Sequence, residues 1–515
     1  MYSRTYGASI QGIEGRIIQI EADISDGLPG FSLVGYLSSE AKEARERVRI
    51  ALKNSGYRFP PRKVTINLSP ADIRKDGTGY DLAIAVAILA AYGYIPEECI
   101  NEILFIGELS LDGAVKPVSG VLPMVYMGWE QRMKYCFVPK GNQKEASVVD
   151  GIGIIGVSDL KQVVDILLGN DLDSFVCKRN PIINKKQGNL PDFQDVRGQE
   201  LVQRAAQVAV SGMHNMLIIG PPGTGKSMIA QRIAGIMPSM NFEEQMEISR
   251  IYSVAGLLTE DMPLMTARPF RAPHHTITQT ALVGGGKYPR PGELSLASGG
   301  VLFLDELPEF DRNSIEVLRQ PLEDGWVTIS RLNGNCRYPA KCLLLAAMNP
   351  CKCGWYPDRK RCQCTPQQVK KYLGKISRPL LDRIDVCTET VPLNYQELEG
   401  EKNRPQESSR EICKRIERVH QIQWERYQKE SFLYNSQLPP QKLKKYCIMS
   451  SEAKKYLEAI FQKMEFSARA YHKILKVGRS IADLEGSHRI EKQHIAEAVC
   501  YRILDRKYWG TGGEE

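Results

Sequence analysis

A chain of 515 residues with 43% hydrophobic and 25% charged residues has the composition expected of roughly two to four folded domains. It contains no apolar run long enough to span a bilayer and no apolar leader after Met1, so neither a membrane span nor a secretory signal is expected and a cytoplasmic protein is. The net charge of +8 is thin over this length and permits a nucleic-acid partner without requiring one. Of thirteen cysteines, nine stand singly and four bunch between Cys351 and Cys364; in a reducing compartment the single ones read as packing residues and the bunch as a metal candidate.

Residues 1 to 170 alternate strand-like and helical runs. Gly12 to Ala22 alternates as a strand, Ser39 to Asn54 is a charged helix, and Val64 to Leu68 is a strand. Leu82 to Tyr92 reads as an alanine-rich buried helix, and Ile103 to Leu109 before Asp112-Gly113 as one arm of a hairpin. The segment Lys75-Asp76-Gly77-Thr78-Gly79-Tyr80-Asp81 resembles the nucleophile segment of Lon-type proteases. Gly107-Glu108-Leu109-Ser110-Leu111-Asp112-Gly113, with Val118-Ser119-Gly120 after it, resembles the stretch ahead of their catalytic lysine. In this resemblance the serine falls at about Gly79 and the lysine at about Leu122, and neither supplies the hydroxyl or amine that a Ser–Lys dyad needs. The expectation is a Lon-like domain over 1–175 without peptidase chemistry, used for assembly or binding, followed by a polar linker over 176–194.

Asp195 to Gln199 leads into a helix over Leu201 to Ser211 and then to Gly220-Pro221-Pro222-Gly223-Thr224-Gly225-Lys226-Ser227, the spacing of a phosphate-binding loop. A strand-length apolar run, Met216 to Ile219, stands before it, and a helix with one apolar face follows from Met228. That context places backbone N–H groups and a helix N-terminus around a polyphosphate, with Lys226 on the outer phosphates and the Ser227 hydroxyl on Mg²⁺. Val301 to Leu304 is a buried-strand run ending in Asp305, suited to Mg²⁺, and Glu306, suited to polarising the attacking water. Leu343 to Met348 is a third strand, and Asn349 at its end would orient that water. In Pro379-Leu380-Leu381-Asp382-Arg383-Ile384-Asp385, Arg383 offers a guanidinium to a neighbouring subunit's transition state.

This ordered set resembles the AAA+ ATPases, in particular the magnesium-chelatase-like and minichromosome-maintenance-like branch. The resemblance implies that Arg383 is the arginine finger and that Arg469, in Ser467-Ala468-Arg469-Ala470-Tyr471, is the nucleotide-sensing arginine of the lid. Phe270 to His275 and Pro291 to Leu296 match the chelatase-like group, and a Lon-like domain in front of such a motor is the arrangement of the ComM-like family. The implied architecture is α/β, with an AAA+ core over 195–391 and a helical lid and tail over 392–515; the lid carries a polar break at Glu399 to Glu411 and a disordered end from Gly510.

The stretch between Lys226 and Asp305 far exceeds the ~30 residues of a βαβ unit. Its excess includes a Gly/Pro-rich loop with Lys287 and Arg290, and a second insertion from Gly325 to Tyr338 reads as a hairpin with Asn-Gly at its tip and with Arg331 and Arg337 on its arms. In related ring helicases such insertions face the pore, which would put these cations on phosphates; the other reading is that they are solvated loop charges. Cys351, Cys353, Cys362 and Cys364 would complete a tetrahedral Zn²⁺ site, against a reading as chance cysteines. His274-His275 would point apart as neighbours on a strand, and His214, His420, His472, His488 and His494 read as hydrogen-bonded structure.

The function implied is ATP hydrolysis by a homo-oligomeric ring, a hexamer by resemblance, that moves along DNA, single-stranded or branched, without sequence preference. The family resemblance adds branch migration in homologous recombination of imported DNA. Two other classes stand beside it: a chelatase-type motor acting on a metal-insertion partner, and an ATP-dependent protease or unfoldase, which the vacant Ser and Lys positions oppose.

Overall fold

The computed structural model describes residues 1–72, 74–169, 171–178, 191–286, 289–331, 334–392 and 407–510. The linker and the polar break expected from the sequence lie mostly outside the described residues, as does the tail beyond Gly510.

The N-terminal sheet has the order β3-β4-β2-β1-β5-β8-β9. Its strands are β1 (Tyr2–Gln11), β2 (Glu14–Ser25), β3 (Gly30–Val34), β4 (Lys63–Ser69) and β5 (Ile103–Phe105), with β8 (Tyr135–Pro139) and β9 (Gly153–Val157) beyond them. Between β5 and β8 a separate hairpin forms from β6 (Glu108–Leu109) and β7 (Val115–Lys116). β1 and β2 pair antiparallel from Tyr2↔Asp23 to Gln11↔Glu14, and Gly12 turns between them at φ 68°, so the second strand begins two residues later than the alternation predicts. The expected arm Ile103 to Leu109 is likewise two pieces, because Gly107 (φ 158°) redirects the chain from the large sheet into the small hairpin.

The helix Asp81–Ala91 is buried along nearly its whole length and lies on β1 and β2. The small inward hydroxyls of β1 make that close packing compatible with buried polarity: Ser3 Oγ donates to Ala87 O at 2.6 Å and Thr5 Oγ1 to Ala83 O at 3.0 Å. At the start of this helix the buried Asp81 carboxylate accepts both Nε (2.9 Å) and an Nη (3.2 Å) of Arg47. Gly79, at the place of the Lon nucleophile, faces open space, and the lysine's place holds the buried Leu122. The Leu122 N–H donates to Glu145 (3.1 Å) and Ser253 Oγ (3.3 Å), so the corner that matches the Lon catalytic site is part of the junction with the following region. Burial raises the Glu145 carboxyl above its ordinary range, opposed by hydrogen bonds from Ser253, Asn142 and the Leu122 amide.

The second sheet is parallel, with the order β11-β14-β17-β10-β18. Its members are β10 (Met216–Ile219), β11 (Phe270–Arg271), β14 (Val301–Leu304), β17 (Leu343–Met348) and β18 (Val386–Glu389). The insertions add two hairpins, β12 (Gly284–Gly285) with β13 (Arg290–Pro291), and β15 (Trp326–Arg331) with β16 (Gly334–Pro339). Helices cover both faces of the sheet, which is why its inner strands β14, β17 and β10 read as unbroken apolar runs. Met216, Ile218, Phe303 and Leu345 enter one core, and Leu217, Ile219, Leu302 and Leu344 enter the other.

Beyond β18 the described chain is helical: Ser409–Tyr427, Pro440–Tyr446, Ser451–Met464, Ala468–Leu484 and Lys492–Trp509. A buried polar cluster fastens these helices to the sheet. His214 bridges Asp385 Oδ2 (3.0 Å) and Ser480 Oγ (2.8 Å), and Lys473 Nζ donates to Ile384 O at 2.6 Å. Burial works against the Asp385 charge, but Lys473 and His214 overcome it and hold the carboxyl well below its usual range. No helix among the described residues is long and apolar enough to cross a membrane.

His420 docks the helix Ser409–Tyr427 on the core, its Nε2 3.1 Å from Val210 O. Burial, the largest influence, pushes its pKa down from 6.5 to about 4, with the Val210 carbonyl opposing. The unfolded chain therefore takes up this proton first as pH falls. Stability supplied above pH 6.5 is lost progressively down to about pH 4, by at most about 3 kcal/mol. Denaturant unfolding at pH 7 and pH 5 should show a smaller pH dependence in His420→Gln than in the parent.

Candidate active site

The loop after β10 is shaped by its neighbours as much as by its own glycines. A Cβ on Gly220 would stand 1.9 Å from Thr390 Oγ1, so any larger residue would have to displace Thr390 where β10 meets the end of β18. Gly223 (φ 77°) and Gly225 (φ 81°) take the left-handed conformations that curl the backbone before the helix Lys226–Ile233. Thr224 Oγ1 holds the curl by donating to Pro221 O (2.9 Å), and it lies 2.6 Å from Thr390 Oγ1.

Residues from the ends of two strands, β14 and β17, converge on this loop. Lys226 Nζ donates to Gly220 O (2.9 Å), Pro221 O (2.8 Å) and Asn349 Oδ1 (3.1 Å), so the sheet places Asn349 beside the lysine. Ser227 Oγ donates to Asp305 Oδ2 at 2.6 Å, which brings together the two residues expected to hold magnesium. The next carboxylate, Glu306, sits at φ 51° with its N–H on Asp305 Oδ1 (2.9 Å), and its side chain is 59% exposed. Burial lowers the Lys226 pKa, while the Asp305 and Glu306 charges act in the opposite sense. An ammonium half-desolvated among carbonyl oxygens and a hydroxyl touching a carboxylate form a donor set that fits a magnesium-bound triphosphate: Lys226 for phosphate oxygens, Ser227 and Asp305 for the ion. The ion would supply charge neutralisation there; Glu306 would take the proton of the water and Asn349 would orient it.

Arg383 and Arg469 have other partners. Arg383 pairs with Glu323, and Arg469 Nη1 donates to Asp382 Oδ2 at 2.9 Å. Both thus stand at the segment Asp382-Arg383, each matched by a carboxylate rather than by a residue of the phosphate loop.

The histidine pair departs from expectation. His274 and His275 follow β11 in irregular chain, where neighbouring side chains need not diverge, and their rings lie 4.0 Å apart between centroids. His275 Nδ1 is 3.7 Å from Glu306 Oε2, a contact that the pattern of residues does not reveal. Thr390 is also invisible in the sequence, because nothing local marks a threonine that touches a loop 166 residues away.

The two insertions pack on each other. Tyr338 Oη donates to Pro289 O at 2.8 Å, tying β16 to the turn before β13, and the pairing Arg331↔Gly334 gives the expected hairpin. Arg290 and Arg337 are exposed on these adjoining hairpins, and the Arg337 guanidinium lies 4.6 Å from the Trp326 ring centre. Lys287 and the hairpin tip at 332–333 lie outside the described residues, and the Arg331 side chain is likewise not described. The turn of β1–β2 abuts the same hairpin, since a Cβ on Gly12 would be 3.1 Å from Arg337 O.

Cys351, Cys353, Cys362 and Cys364 converge so that all four sulfurs lie within 4.8 Å of one another. The separations are 3.3 Å (Cys351–Cys353), 3.6 Å (Cys353–Cys362) and 3.7 Å (Cys351–Cys362). Sulfurs about 2.3 Å from a tetrahedral zinc are about 3.8 Å apart, so the set fits such an ion.

Comparison with known proteins follows this anatomy. Residues 192–398 match the family model described as magnesium chelatase, subunit ChlI; residues 20–142 match subunit ChlI of Mg-chelatase, and residues 406–502 match the ChlI C-terminal model. The chain is 39% identical over 506 residues to competence protein ComM of Haemophilus influenzae, covering 97% of each chain. It is 39% identical to the uncharacterized protein YifB of Escherichia coli over 96% of each. Lon protease 2 of Bacillus subtilis shares 34% identity over 133 residues, 26% of this chain and 24% of that one.

Proposed function

We propose, from the premise that this chain belongs to the ComM-like family of magnesium-chelatase-like AAA+ ATPases, that it is a ring-forming motor that couples ATP hydrolysis to movement along DNA. ATP and Mg²⁺ are the cofactors of such a family. In this reading Lys226 binds the outer phosphates, Ser227 and Asp305 hold Mg²⁺, Glu306 is the general base and Asn349 orients the water. Arg383 and Arg469 complete the site across a subunit boundary in a cytoplasmic hexamer. The Lon-like domain (1–175), linker (176–194), motor core (195–391) and lid (392–515) are the working divisions. The four cysteines hold one structural zinc. The activity is branch migration of joint DNA molecules during recombination of imported DNA.

The observation that carries the DNA reading is the pair of adjoining basic hairpins, tied through Tyr338 and Pro289 and carrying Arg290 and Arg337. Guanidiniums on a braced hairpin suit a phosphate backbone, whose binding is sequence-independent and salt-sensitive. The test is the ATPase rate with and without single-stranded and four-way-junction DNA. Arg331→Ala with Arg337→Ala should abolish stimulation by DNA while basal ATPase persists. The same pair should lower the salt slope of binding by about 1 for each phosphate left without its cation. An unchanged slope and unchanged junction processing would place the DNA-binding surface elsewhere.

A second reading, a chelatase-type motor remodelling a metal-insertion partner, is favoured by the chelatase models that match across the chain. A protein inert on every DNA but stimulated by such a partner would select it.

A further inference from the structure

We propose that the four-cysteine site is a brace for the phosphate loop, so that metal in it sets the affinity for nucleotide. The proposal rests on the reading of this site as a zinc centre and deepens it.

Two physical connections run from the cysteines to the triphosphate pocket. The first is along the chain: Asn349, whose Oδ1 accepts from Lys226 Nζ at 3.1 Å, stands two residues before Cys351, a fully buried ligand candidate. The second is across space. Gly354 follows Cys353 directly, takes φ 85°, and lies so close to the phosphate loop that a Cβ there would be 2.5 Å from Pro222 Cδ. Contact of that kind is backbone against a rigid ring, with no flexible side chain to yield.

The segment that makes both connections is irregular chain. From Cys351 to Cys364 it contains no strand and no helix, and apart from the sulfurs it is held by short turns, such as the Cys362 N–H on Asp358 O at 2.7 Å, and by the edge-on packing of Tyr356 against Tyr508. The Tyr356 N–H points at Cys351 Sγ at 3.4 Å, the kind of outer hydrogen bond that orients a metal-bound thiolate. A thiophilic divalent cation drawing the four sulfurs together would fix the loop at its two ends and hold Gly354 against Pro222. Without the cation only weak S–H···S contacts hold the four thiols together. The loop then loosens, Pro222 loses its backing, and Asn349 loses its fixed position beside Lys226.

The test uses full-length protein and a fluorescent ATP analogue. Wild-type protein should contain one zinc per chain by metal analysis. Stripping it with a strong zinc chelator should weaken analogue binding by tenfold or more, and readdition of zinc should restore it. Gly354→Ala keeps all four cysteines, so it should retain one zinc per chain and still bind the analogue tenfold or more weakly. Cys362→Ser with Cys364→Ser should lose both metal and affinity, whereas Cys500→Ser, an exposed cysteine outside the cluster, should lose neither. Wild-type protein without zinc overturns the metal reading and the brace with it. Zinc present, with parental affinity in both the stripped protein and Gly354→Ala, leaves a zinc site standing and overturns the brace alone.

Discussion

Glu306→Gln protein should bind ATP as the parent does and hydrolyse it about 10²–10⁴-fold more slowly, the range that general-base catalysis contributes. The substitution removes a proton acceptor and the charge that faces His275, and little else. The Glu306 side chain is exposed, and the backbone conformation at φ 51° is held by the N–H bond to Asp305 Oδ1, which glutamine keeps. Lys226→Ala should act on the other quantity, because the ammonium that bridges Gly220 O, Pro221 O and Asn349 Oδ1 is poised for phosphate rather than for the water. Equilibrium binding of a fluorescent analogue and single-turnover hydrolysis separate the two effects. Parental turnover in Glu306→Gln would mean that the base is another group.

The second large effect is expected at Arg383. An arginine finger contributes about 10³–10⁵ in rate, so Arg383→Ala should assemble and bind nucleotide yet be nearly inert. In the single chain Arg383 is paired with Glu323, and among the described residues its buried Nε has no hydrogen-bond partner. Such a guanidinium is available to exchange one carboxylate for a denser negative charge supplied by a neighbour. The decisive measurement is mixing. Arg383→Ala and Lys226→Ala proteins, each inactive, should together regain part of the parental ATPase, since some interfaces then join an intact phosphate loop to an intact finger. Absence of any regain at all mixing ratios would place the finger in its own subunit's site and remove the basis for a ring.

Much of this site is legible in the order of residues alone. Met216 to Ile219, Val301 to Leu304 and Leu343 to Met348 are strands where apolar runs predict them, and the loop from Gly220 to Ser227 follows the first with a helix behind it. The helix Ser39–Asn54 matches its predicted limits as well. In each case the signal is local: a parallel strand covered on both faces must be apolar throughout, and a phosphate loop needs glycine wherever its backbone turns left-handed. The bringing together of Ser227 with Asp305 also follows, because both are expected on one magnesium ion; Asn349 meets Lys226 because that amide ends a strand adjoining the same crevice.

What the sequence by itself determined is therefore the chemistry: a triphosphate loop, its acids, its basic hairpins and four sulfurs at a metal-ligand spacing. Tertiary structure alone decided the further contacts around them. It put His275 beside Glu306, Thr390 against Gly220 and Thr224, Gly354 against Pro222, and Glu145 on Ser253 across the junction with the Lon-like domain. It also matched Arg383 with Glu323 and Arg469 with Asp382. These pairings join residues that lie tens to hundreds of positions apart or sit at a bend of irregular chain, where no hydrophobic period or turn rule ties one side chain to another; they arise only when strands are stacked in one order and helices close over them.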